Sequence, residues 1–461
     1  MISKKVVTIL PQTASIILTI IALVVSTPSP NQSIVFLSYA ITAPATLSLI
    51  TQRYKQKTMI NIIFFGAIAL LSLTTKIAIW FAISTISFKL LTESILSRQI
   101  LTPRIVRKII ITVLIGSFII NAGVEGELVR QNLSIEPQSN AIYFDPQVYQ
   151  KAYFNFIDSN NYYTESFQKT LESDPRLDSL PQDLWSYRPP TAFILWKWLS
   201  FGNPIIVYWL FITICVTILF LGYKITTSFS DQNSGLLSPL LLLPYFVFAS
   251  ITPDLEFLQT EWWALLPIFI FYYALRINQY KTSLVALALA MITRIYFVIS
   301  WAAMMMVTLL FKQSKQTKIL LINLALFLTF FSFHTYKVFT QNITLTSQAF
   351  TSGRSHPFGL DMIHQTLSFA TSNYLLAPYR LMTIIQMITL VLLVPILYQY
   401  KKYRYYISLL LAIFIPIQLS FLTQGRCCWQ NYWGVMVIPF LLLLFAILVG
   451  IINHHTKTAK I

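Results

Sequence analysis

TSLVALALAMITRIYFVISWAAMMMVTLLF, residues 282–311, is a run of 30 residues whose only charge is Arg294, near its middle. As one helix it would be about 45 Å long at about 1.5 Å per residue, against a hydrocarbon core of about 30 Å. One helix would also separate Arg276 and Lys281, before the run, from Lys312, Lys315 and Lys318, after it. Basic loops gather on the cytoplasmic side of a membrane, so both clusters belong on one face. The run is therefore expected to form two short helices that meet at Arg294, with that residue turned toward the outer surface.

The rest of the chain agrees with a membrane setting. Of 461 residues, 56% are hydrophobic and only 11% are charged, which excludes an ordinary soluble domain. A transmembrane β-barrel needs alternating strands of about ten residues, a pattern the chain lacks. The net charge of +17 is spread over short loops and forms no basic patch, so no nucleic-acid partner is expected. Cys215 falls in an apolar run and reads as packing, while the vicinal pair Cys427-Cys428 reads as two thiols, with a strained disulfide as the alternative.

Apolar runs at 6–25, 33–50, 58–74, 76–92 and 109–122 precede the polar middle of the chain. Others follow at 204–222, 236–250, 262–276, the two halves of 282–311, 318–336, 381–399, 405–421 and 433–452. The expected architecture is all-α and polytopic, with 14 transmembrane helices and a large extracytoplasmic loop. Lys4-Lys5 before the first run suggests an uncleaved first span. The basic clusters at Arg53 to Lys57, Arg98 to Lys108 and Lys401 to Arg404 fall inside, with both termini cytoplasmic. Three segments follow: four spans over 1–108, a core over 109–311 holding the outer loop 123–203, and carboxy-terminal helices over 312–461 with an outer loop at 337–380.

Ten of the 16 acidic residues lie between Glu125 and Asp183, in the long polar interval 123–203. This parity also turns Arg188, Asp254, Glu256, Glu261, Arg354, His356, Asp361 and Arg426 outward. Ionisable groups at membrane depth are costly and tend to mark function. Cytoplasmic loops hold few carboxylates and no Gly-rich phosphate loop, so a nucleotide-driven site on that side is not expected.

Within the interval, Tyr143-Phe144-Asp145-Pro146-Gln147-Val148-Tyr149 leads to Ala152-Tyr153 and Asn161-Tyr162-Tyr163, and later to Tyr187-Arg188-Pro189-Pro190. Together with Thr293-Arg294-Ile295-Tyr296 and Tyr432-Trp433-Gly434, these stretches resemble the GT-C-type integral-membrane glycosyltransferases. The closest likeness is to bacterial mannosyltransferases that use polyprenyl-phosphate mannose. The resemblance covers about residues 109–310. Two features depart from it: four spans precede the one feeding the loop, where the family usually has none, and the interval from Asp145 to Arg188 is long.

The resemblance implies transfer of a sugar such as mannose from a polyprenyl-phosphate donor to a glycan, lipid or protein acceptor, outside a bacterial plasma membrane. Chemistry gives the same division of labour. A base must take the acceptor proton, and cations must stabilise the departing phosphate. A single displacement needs one carboxylate rather than a glycosidase's two, and it inverts the anomeric centre. Asp145 is the candidate base. Arg188, Arg294 and Arg426 are candidate phosphate ligands, because a guanidinium grips phosphate oxygens in pairs. Tyr143 and Tyr149 are candidate substrate contacts, as are Tyr162 and Tyr163, unless they belong to the aromatic belt.

No cofactor is expected. A divalent cation held by Asp254, Glu256 and Glu261, or by His356, Asp361 and His364, is the alternative. The rival functions are a polymerase or ligase of the O-antigen type, using a lipid-pyrophosphate donor and the 337–380 loop, and a lipid flippase or transporter. The last would call for inverted repeats and mid-bilayer charges, which the sequence does not display.

Overall fold

The computed structural model describes residues 45–46, 102–133, 145–173, 187–250, 255–340, 367, 378–424 and 431–458. Among the described residues the chain is all-helical, with no strand. The first four expected spans lie outside these residues apart from 45–46, as do Tyr143, Asp254, Arg354, His356, Asp361, His364, Arg426 and Cys427-Cys428.

From residue 103 onward each expected span falls on a helix. They are α1 (Pro103–Leu133), α5 (Pro204–Phe229), α6 (Leu237–Ser250), α7 (Thr260–Arg276), α8 (Tyr280–Thr293) and α9 (Phe297–Leu310). The chain continues through α10 (Ser314–Phe339), α11 (Pro378–Gln399), α12 (Arg404–Gln424) and α13 (Ile438–Thr458). Five stretches are long and apolar enough to cross a membrane: Pro103–Leu133, Pro204–Phe229, Ser314–Phe339, Lys401–Ser420 and Gly434–His455. The protein is thus a multi-pass, all-helical membrane protein.

The run that opened the sequence reading breaks at Arg294. Its two halves, α8 and α9, are 14 residues each, about 21 Å at about 1.5 Å per residue. They lead away from and back to one end of the bundle. At that end the Lys315 ammonium lies 5.7 Å from the centre of the Tyr280 ring, and Phe311 packs edge-on against Tyr405 at 5.7 Å. Arg276 sits over Phe229 and Tyr406 at 4.7 and 4.6 Å and donates to the Ser228 carbonyl. His455 stacks on Tyr400, and Arg107 donates to Gln232 and Asn233. Arg107, Arg276, Lys315 and His455, on four different helices, therefore lie at one end of the bundle, the gathering that the positive-inside argument expects.

The interval read as a polar loop is largely helical where it is described. It holds α2 (Asp145–Ser159), a π-helical turn (Tyr162–Gln168), α3 (Lys169–Glu172) and α4 (Thr191–Ser200). Its mean polarity hides amphipathic helices. In α2, Tyr149, Ala152, Tyr153 and Phe156 recur at helical spacing and are buried, while Lys151, Asn155, Asp158 and Ser159 are not. In α4, Ala192, Phe193, Trp196 and Ser200 do the same. These faces meet in an aromatic core: Phe193 lies 4.9 Å from Trp196 and 5.1 Å from Tyr162, and Trp196 lies 5.5 Å from Trp263 of α7. A buried Phe contributes about 1.5–3 kcal/mol, so this layer is firmly attached to the spans beneath it.

Candidate functional site

The site builds up at the end of the bundle opposite the basic face. Asp145 opens α2, with Pro146 in the first turn, where proline's missing amide costs nothing. One turn later comes Tyr149, buried at 2% exposure. Its hydroxyl accepts a hydrogen bond of 2.7 Å from Nε of Arg188, whose guanidinium carbon lies 5.9 Å from the ring centre. Arg188 is itself only partly buried. Its backbone is pinned as well, because the Tyr162 hydroxyl donates to the Arg188 carbonyl at 2.6 Å.

Pro189 and Pro190 then carry the chain into α4. The Thr191 hydroxyl donates at 2.8 Å to the carbonyl of Ile292. That bond ties the turn bearing Arg188 to the last residues of α8, two positions before Arg294. Arg188 and Arg294 thus stand on adjoining backbone, although they are 106 positions apart in the sequence.

Arg294 departs from expectation in one respect. It lies at the helix break, as the run length requires, but it does not reach the surface. It forms an ion pair with Glu261, and the two side chains are 2% and 0% exposed. The Tyr296 ring lies 5.2 Å from its guanidinium carbon. A buried guanidinium without a counter-charge is too costly to keep, and Glu261 in the first turn of α7 supplies one. That pairing draws Arg294 inward. Glu261, a candidate cation ligand by sequence, serves here as the partner of Arg294.

The tyrosines also change role. Tyr149, Tyr162 and Tyr163 are all buried, so no ring face is open for stacking on a sugar; each uses its hydroxyl to position another group. Tyr163 bonds Nδ1 of His334 at 3.0 Å, near the end of α10. Burial raises the hydroxyls of Tyr162, Tyr163 and Tyr187 above the ordinary phenol value. The neighbouring Tyr163 adds to the effect at Tyr162, and Glu172 adds to it at Tyr187. All three are neutral hydrogen-bonding groups at physiological pH.

His334 is the residue that sequence reasoning missed. A lone ionisable group in an apolar span was the signal that could have found it.

The arrangement brings three of the predicted residues, Asp145, Tyr149 and Arg188, onto one turn of α2 and the segment packed against it. Arg294 lies beneath, locked to Glu261. Among the described residues no cluster of His, Cys, Asp and Glu could hold a metal. Comparison with models of known protein families, with curated proteins and with solved structures finds no match.

Proposed function

We propose that the protein is a membrane glycosyltransferase of the GT-C type. It takes a sugar, mannose being the candidate, from a polyprenyl phosphate and transfers it to a glycan, lipid or protein hydroxyl on the extracytoplasmic side. The observation that carries this reading is the Tyr149–Arg188 bond. It fixes the half-buried Arg188 on Tyr149, which stands one helical turn after the residue that would act as base, at the end of the bundle away from the basic face.

In this reading Arg188 takes over the phosphate-gripping role for which Arg294 was also a candidate. Nε of Arg188 is engaged by Tyr149, which orients the guanidinium plane toward the donor phosphate. The phosphate gains charge as the glycosidic bond breaks, and a pre-oriented cation stabilises that charge without reorganising. Asp145 accepts the acceptor's hydroxyl proton as its oxygen attacks the anomeric carbon, and the sugar is delivered with inversion. Glu261 and Arg294 hold the floor of the site.

Binding of undecaprenyl phosphate to the purified protein in nanodiscs tests the donor half of the proposal. Wild type should bind it, and Arg188→Lys, which keeps the charge but loses the planar donor pair, should bind about tenfold more weakly. Equal affinity in the two proteins would remove Arg188 from the site. Absence of binding in the wild type would remove the donor class.

A further inference from the structure

His334 is a fully buried ionisable group to which the proposed chemistry gives no role. It stands in α10, about 30 Å along the helix from Ser314 at about 1.5 Å per residue, the full depth of a hydrocarbon core. Beyond Phe327, His334 and Val338 are the buried residues of this helix, while Phe333, Tyr336 and Phe339 are 53%, 63% and 43% exposed. The outer third of α10 is therefore attached through a histidine and a valine. A histidine in an apolar span gives up its hydration and regains only what its hydrogen bonds return. Phe330, one turn earlier, stacks on the imidazole at 6.1 Å, a contact that another aromatic ring would make equally well. What a phenylalanine would not supply is the bond between Nδ1 and the Tyr163 hydroxyl.

That bond leads to Arg188. Tyr163 belongs to the π-helical turn, a rare conformation that tends to occur at functional sites. Its neighbour in the turn is Tyr162, whose hydroxyl holds the Arg188 carbonyl. The two tyrosine rings meet edge to face at 5.3 Å and both are buried, so displacing one displaces the other. The backbone of Tyr187, the residue before Arg188, faces the imidazole as well. Two routes thus run from His334 to the backbone of Arg188, one through the tyrosine pair and one through Tyr187.

We propose that His334 is a positioning residue. It anchors the Tyr162–Tyr163 turn and the Tyr187–Arg188 segment to α10, and so sets the backbone from which the Arg188 guanidinium extends. Its consequence for donor binding rests on the reading of Arg188 as the phosphate ligand; the anchoring does not.

Hydrogen–deuterium exchange of the purified protein in nanodiscs reads the anchoring with no ligand present. His334→Phe keeps a ring against Phe330 and removes Nδ1. Exchange in peptides covering 162–168 and 187–194 should rise about tenfold, with α8 and α12 unchanged. His334→Asn, whose side-chain oxygen stands close to the place of Nδ1, should restore most of the protection. Tyr163→Phe breaks the same bond from its other end and should reproduce the His334→Phe pattern, which keeps the test intact if one variant fails to fold. Wild-type exchange in His334→Phe or Tyr163→Phe, a rise spread over the whole bundle, or no recovery in His334→Asn would overturn the proposal.

Undecaprenyl phosphate binding reads the consequence. Affinity should fall about threefold to tenfold in His334→Phe, the worth of one neutral hydrogen bond. The double variant with Tyr163→Phe should bind within about twofold of either single variant, because both remove one bond. Wild-type affinity in His334→Phe would overturn the positioning role. A wild type that binds no undecaprenyl phosphate but shows the expected exchange pattern would remove the donor assignment and support the anchoring.

Discussion

Arg294 and Glu261 form an ion pair from which water is excluded, joining the break between α8 and α9 to the first turn of α7. The pair places a full charge at the one point where the 30-residue apolar run is interrupted. Its stability is conditional: a buried pair is weakly stabilising as a whole, but removing one partner strands the other.

Removing Glu261 alone should therefore be severe. Glu261→Gln is expected to destabilise the protein by about 3–5 kcal/mol, the cost of an uncompensated buried charge. Glu261→Gln combined with Arg294→Met should recover most of that loss. Thermal unfolding in detergent, followed by loss of helical signal, compares the three proteins. A double variant no more stable than Glu261→Gln would show that the pair is not coupled.

Tyr149→Phe should spare the fold and weaken the site. The ring keeps its edge contact with Phe193 at 6.1 Å, while the hydroxyl that orients Arg188 is lost. A hydrogen bond to a charged group is worth about 1.5–3 kcal/mol. Donor affinity should accordingly fall by one to two orders of magnitude with an unchanged melting temperature. Wild-type affinity in Tyr149→Phe would mean that Arg188 is oriented by something else.

That the chain is a multi-pass helical membrane protein was legible in its sequence. The break at Arg294 followed from a run too long for one span, and the gathering of basic ends followed from loop charge. The partner of Arg294 was not legible. Glu261 is one carboxylate among several candidates, and only the packing of α7 against α8 selects it. The interval 123–203 misled for a different reason. Its average polarity reads as loop, yet Tyr149, Tyr153, Phe156, Phe193 and Trp196 form apolar stripes that fold it onto the spans. Once folded, the tyrosines that looked available for sugar stacking become interior hydrogen-bonding groups.

Sidedness can be read directly. Glu172→Cys is expected to react with membrane-impermeant maleimide in intact cells. Lys315→Cys and Lys402→Cys, on the opposite end of the bundle, should react only after permeabilisation. The reverse pattern would move the candidate site to the cytoplasm.

Alkaline pH should loosen the outer layer. Burial raises the phenols of Tyr162, Tyr163 and Tyr187, so the folded state holds three protons that the unfolded chain gives up near pH 10. Their contribution is fully present below that value and is lost as pH rises through the folded-state value. Stability should be level through neutral pH and decline above about pH 9–10. Tyr163→Phe should show a shallower decline, by about one proton released on unfolding. An identical slope in the two proteins would mean that Tyr163 is not held neutral by the fold.

The most direct test of the central claim is transfer of radiolabelled mannose from undecaprenyl-phosphate mannose by the purified protein in proteoliposomes, with a native membrane extract as the acceptor source. Wild type should move label from the donor into the extract. Asp145→Asn, which keeps the helix start but cannot take a proton, should lower the rate by at least about 100-fold, the range of general-base catalysis. Transfer at the wild-type rate in Asp145→Asn, or no transfer by the wild type, would contradict the account.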